Sequence, residues 1–154
     1  MKNKKKGPAQ QYLERIRKLD TQIDCMVEER NSLKDLALRV TPNMSGSGGS
    51  SGGNQDKMGS AISRIVDKDA EIDGAVDALL RLKHEAGALM ARLEDAAHYR
   101  VLHERYIQYK SFEQIAAGMG YTYRNAHYLH GRALQAFAKV LEEYRKERSK
   151  TPLE

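Results

Sequence analysis

A chain of 154 residues with a formal charge of +5, 31% charged and 40% hydrophobic residues and no Trp has room for one modest domain, or a small domain plus an extended element. Its single cysteine, Cys25, excludes an internal disulfide and a CxxC zinc site, and no run of about 18 apolar residues exists to span a membrane. The mild positive charge is compatible with a nucleic-acid partner without requiring one.

The opening Met1-Lys-Asn-Lys-Lys-Lys6 is basic but leads into Gly7-Pro8 and not an apolar stretch, so residues 1–10 read as a disordered basic tail and not a signal peptide. A reducing, cytoplasmic setting is expected. Residues 11–41 carry a heptad seam, Tyr12, Ile16, Leu19, Ile23, Met26, Arg30, Leu33, Ala37 and Val40, with one charged interruption at Arg30. Thr41-Pro42 stops that helix. Residues 42–57 are dominated by Ser and Gly and read as a flexible linker, Ser45–Gly53 most of all. A second seam over 58–95 follows: Met58, Ile62, Ile65, Asp69, Ile72, Val76, Leu79, Lys83, Ala86, Met90 and Leu93. The two seams are expected to pair as a long coiled-coil-like helical hairpin, with Arg30 and Asp69 in adjacent layers, or to pair between copies as a homo-oligomer.

From residue 96 to 147 the pattern changes to a compact three-helix block, ahead of a charged tail at 148–154 that frays beyond Lys146. The whole is an all-α chain: a helical hairpin followed by a C-terminal helix-turn-helix domain. The first helix of the block is expected from Ala97 to Gln108. Ser111 with Gln114 predicts a capping box, Gly120 a left-handed stop, and Thr122 the cap of the last helix. Ala126, Leu129, Ala133, Leu134, Phe137 and Leu141 share that helix's apolar side. No Asp or Glu occurs from Gln114 to Leu141, as a polyanion-binding segment requires.

The opposite side of the last helix holds Tyr123, Arg124, His127, Tyr128 and Gly131, at steps of three and four. Arg124 has the geometry to donate twice to guanine O6 and N7. Tyr123, His127 and Tyr128 offer donors, acceptors and ring surface to base edges. Gly131 permits close approach of a DNA strand. Lys110, Ser111, Thr122 and Arg132 suit phosphate oxygens, assisted by free N–H groups at the helix starts. The plain alternative is that this Arg-Tyr-His face is a solvated surface. The succession of capped short helix, glycine turn and capped second helix favours DNA reading.

Arg105-Tyr106, Ser111-Phe-Glu-Gln-Ile-Ala116, Met119-Gly-Tyr-Thr122 and Arg132-Ala-Leu134 resemble the fourth region of bacterial sigma factors, over about Tyr99 to Lys139. The resemblance implies recognition of a promoter element of the −35 type. Aligned on Gly120 and Ala133-Leu134, it places Tyr123, Arg124, His127 and Tyr128 at the family's base-reading positions. The residue types differ from those of a housekeeping sigma factor, and no segment is similar to the region that melts DNA. The full layout, from Tyr12-Leu-Glu-Arg-Ile through Val40-Thr-Pro42 to Leu129-His-Gly-Arg-Ala-Leu134, resembles small phage and prophage proteins of Gram-positive hosts. These are grouped with late-gene regulators of the ArpU and RinA type. That implies a phage-encoded transcription regulator that binds double-stranded DNA, with host RNA polymerase as a second partner.

His84, His98, His103, His127 and His130 stand at no metal-ligand spacing, and His84-Glu85 lacks the second His of a zinc protease. No phosphate-binding glycine loop is present. An enzyme, a cofactor, a metal and a membrane partner are therefore not expected. Two competing readings remain. One is a phage small terminase subunit that assembles through its coiled-coil helices to recognise a DNA-packaging site. The other is an adaptor whose terminal block grips RNA polymerase and no DNA.

Overall fold

A computed structural model describes residues 4–40 and 51–151. The chain is all-α. Helices α1 (Pro8–Val40), α2 (Ser51–Met90), α3 (Ala96–Leu102), α4 (Phe112–Met119) and α5 (Tyr123–Lys150) follow one another, and no strand occurs among the described residues. A π-helical turn, His103–Ile107, continues from α3. No described helix is long and apolar enough to cross a membrane.

Several expected boundaries move. Helix α2 begins at Ser51 and not at Met58, so the Ser/Gly segment is helical from Ser51 onward. Once a helix is nucleated, adding a turn costs less than starting one, which offsets the weak propensity of Gly. The remainder of the expected linker, residues 42–50, lies outside the described residues, as do 1–3 of the basic tail and 152–154 of the C-terminal one. Helix α2 ends at Met90 and not near residue 95, where Asp95 instead caps α3 by accepting from the Ala97 N–H at 2.8 Å. Helix α5 does not fray at Lys146 but runs to Lys150, with Ser149 Oγ and Thr151 Oγ1 donating to the carbonyls of Lys146 and Glu147. The α3 helix does not reach Gln108, because the π-helical turn replaces its last part.

The described chain divides into two units: one within Leu19–Leu79, the other joining the start of α1, up to Lys18, to the residues from Leu80 onward.

In the Leu19–Leu79 unit the two charged interruptions of the seams meet. Arg30 Nη1 donates to Asp69 Oδ1 at 3.1 Å, and Lys68 Nζ bridges Glu29 and Glu71 at 2.9 and 3.0 Å. Hydrogen bonds to Glu29 and then Glu71 hold the Lys68 ammonium above its usual pKa. Ile23, Ile72 and Leu79 are buried and Leu19, Met26, Leu33, Ile65 and Val76 half-buried, as their seam positions require. Ile62 is the exception, at 50% exposure. Leu36, Leu38 and Val66 are likewise exposed.

The other unit has the larger core. Leu13 and Ile16 from α1, Leu89 and Met90 from α2, Val101 and Leu102 from α3, Ile115 from α4, and Phe137 and Leu141 from α5 are all fully buried. Helices α3 and α4 both pack on α5. The Tyr12 ring lies 5.9 Å from that of Phe137. Its hydroxyl donates to Glu85 Oε1 at 2.5 Å, and the Tyr144 hydroxyl donates to Glu85 Oε2 at 3.0 Å. Two phenols thus satisfy one carboxylate at the edge of the core. Burial, then the bond to Glu85, drives the Tyr12 phenol well above its ordinary pKa.

Candidate nucleic-acid interface

The segment from Ser111 to the first turns of α5 is built by local chemistry. Ser111 Oγ accepts from the Gln114 N–H at 3.2 Å, and Gln114 Oε1 accepts from the Ser111 N–H at 3.0 Å, forming a capping box. Helix α4 stops at Gly120, which adopts φ 70° and ψ 29°. The Tyr121 N–H reaches back to the Ala116 carbonyl at 2.9 Å and the Gly120 N–H to that of Ala117 at 3.4 Å, a Schellman arrangement. Thr122, in extended backbone, then caps α5 by accepting from the Asn125 N–H at 3.1 Å. Ile115, Ala116, Ala126 and Ala133 are buried where α4 meets α5, so the two helices are held by small and branched apolar contacts.

Ahead of α4 the backbone is unusual. The Gln108 N–H bonds to the His103 carbonyl, five residues back, at 3.1 Å, and the Lys110 N–H to that of Glu104 at 2.9 Å. Tyr109, just after this turn, takes φ 57°, a left-handed value uncommon for a bulky side chain. The cations of Arg17 and Lys83 lie 5.5 and 5.3 Å from its ring centre. The turn also buries Glu104. Its Oε1 accepts from Arg100 Nε at 3.3 Å and Lys110 Nζ at 3.2 Å, while its buried Oε2 has no hydrogen-bond partner. Arg100 Nη2 donates in turn to the Gly118 carbonyl at 3.1 Å, tying α3 to the end of α4. Sequence spacing does not announce these contacts, because Arg17 and Lys83 lie far from Tyr109 along the chain.

The expected base-reading residues all lie on the exposed side of α5, but they are not equivalent. Arg124 is exposed and makes no hydrogen bond or ion pair with any described residue. Tyr123 and Tyr128 are 52% and 62% exposed. His127 reaches solvent, yet its ring lies 3.8 Å from Phe112 and 4.5 Å from Tyr123, centre to centre. Arg105 stacks beyond Phe112 at 4.4 Å. His127 is thus the middle of an aromatic cluster, tilted by 31° against Phe112 and edge-on, at 60°, to Tyr123. Gly131 is exposed, with nothing within 4 Å of where a Cβ would stand.

Among the expected phosphate contacts, Ser111 and Thr122 use their oxygens as acceptors in the caps, which leaves each hydroxyl hydrogen to donate outward. Arg132 is exposed and donates to the Tyr128 hydroxyl at 3.2 Å. The Lys110 ammonium pairs with Glu104 at 3.2 Å, a carboxylate it shares with Arg100, so the trio keeps one net positive charge. His130, on the same helix, turns inward. Its Nε2 shares a 2.8 Å hydrogen bond with the Tyr106 hydroxyl. Burial first, then the charge of Arg105 and the neighbouring His127, lowers its pKa from 6.5 to about 4. Among the described residues no group of three or more His, Cys, Asp or Glu could hold a metal ion. No protein-family model, no curated protein and no solved structure matches this chain.

Proposed function

We propose that this protein is a sequence-specific, DNA-binding transcription regulator of phage or prophage origin. Its first turns of α5 enter the major groove, in the manner of a sigma-like −35 reader, and host RNA polymerase is its second partner. One observation carries the reading: Arg124, exposed on a well-capped helix start and unpaired among the described residues, sits between exposed tyrosines in a stretch without Asp or Glu from residue 114 to 141. An unpaired guanidinium loses nothing within the protein when it turns to a guanine edge. Tyr123 supports it on the same turn, while His127 contributes by holding Tyr123 in place. The direct test is selection of bound fragments from a pool of phage and bacterial genomic DNA at defined salt. Enrichment of promoter-proximal duplexes supports the proposal, and recovery of no sequence above background removes it.

A second reading has its own support. Leu36, Leu38, Ile62 and Val66 expose large apolar side chains on the Leu19–Leu79 unit, as a protein that associates with copies of itself would. A DNA-packaging subunit of the small terminase kind uses such association. Sedimentation separates the two: a large ring supports packaging, and a monomer or dimer supports regulation.

A further inference from the structure

We infer that Tyr128 and Arg132 form a single phosphate-binding couple, so that Tyr128 clamps a backbone phosphate and does not read a base. The inference rests on the DNA-binding reading above and assigns a different role to one of its residues. Arg132 Nη1 donates to the Tyr128 hydroxyl oxygen at 3.2 Å, and the guanidinium carbon lies 5.7 Å from the Tyr128 ring centre. A phenol oxygen that accepts from a cation directs its own hydrogen elsewhere. The remaining guanidinium N–H groups are donors as well. Two exposed side chains thus converge as donors, carrying one positive charge. The ligand that suits them is an acceptor-only group, and a phosphate, whose oxygens carry charge, matches a charged donor pair better than the neutral acceptors of a guanine edge.

Position along α5 agrees. Arg124 and Arg132 are eight residues apart, a rise of about 12 Å. The major groove is about 12 Å wide. With Arg124 at the base edges, a residue about 12 Å further along α5 lies beyond the half-width of about 6 Å that separates the groove floor from its phosphate wall. The helix supplies no competing anion near the couple, since α5 carries no acid before Glu142.

The test uses the full chain and a mixed-sequence duplex of about three helical turns, titrated by fluorescence anisotropy over a series of NaCl concentrations. Arg132→Ala is expected to make the slope of log K against log salt shallower by about 0.9, the release of one counterion. Tyr128→Phe, which keeps the ring and loses the hydroxyl, is expected to weaken binding about 2–10-fold, equally across sequences. Both residues are exposed, and circular dichroism confirms folding. An unchanged slope for Arg132→Ala, or a Tyr128→Phe protein that shifts preference at one base pair of a randomised library, overturns the couple while DNA binding stands. Wild type that binds no duplex, but whose Arg132 Nε–H resonance moves with inorganic phosphate, keeps the couple as an anion site and removes the DNA reading. No response to either overturns both.

Discussion

Arg124 is the residue on which base reading depends, and its isolation makes the effect of removing it clean. Arg124→Ala is expected to weaken binding to a selected site by about 1–3 kcal/mol and to relax preference at one base pair, with fold stability unchanged. Anisotropy on the selected duplex and its single-base variants checks this, and equal affinities for wild type and variant would remove Arg124 from the readout. His130 is the opposite case, a polar residue on the same helix turned inward against Tyr106. Its pKa falls from 6.5 to about 4 on folding, so the unfolded chain binds the extra proton first. The contribution of His130 is therefore fully present above pH 6.5 and is lost as pH falls from there toward about 4. The melting temperature is expected to drop between pH 7.5 and pH 5, and His130→Gln to reduce that drop; an equal drop in both proteins would show that His130 does not titrate across the unfolding transition.

At the scale of the element, the α4–turn–α5 unit was legible because its signals are local. The capping box, the left-handed glycine and the Thr cap each need only neighbours within a few residues, so spacing alone locates them. Gly120 adopts a conformation that L side chains rarely take, although space around it is open. Gly120→Ala is accordingly expected to cost about 1–2 kcal/mol from backbone strain alone, measured by urea unfolding. A neutral substitution would mean that the turn relaxes to another form. The π-helical turn was not legible. Its bonds span five and six residues, and it persists because Glu104 is buried beneath Arg100 and Lys110 and because Tyr109 lies near both Arg17 and Lys83. Arg17 and Lys83 lie on other helices, far away in sequence, so no window around Tyr109 contains them.

For the whole molecule the unit that presents α5 is larger than the three helices after residue 95. Tyr12, Leu13 and Ile16 fill it from the start of α1, and Leu89 and Met90 from the end of α2. A fragment covering residues 96–151 is thus expected to lose cooperative thermal unfolding, while the full chain keeps it; a sharp transition in the fragment would contradict this. Within the full chain, Phe137→Ala is expected to destabilise by about 3–5 kcal/mol, read from denaturant midpoints. The sequence by itself determined the helical class, the seams, the caps and the polar face of α5, because helical periodicity and capping act over three to seven residues. Tertiary structure alone decided which ends of α1 and α2 join the C-terminal core. It also decided that His130 turns inward against Tyr106 and that Tyr109 lies near both Arg17 and Lys83. Burial and charge pairing depend on which surfaces meet after folding, and periodicity shows that a face is apolar without showing what covers it.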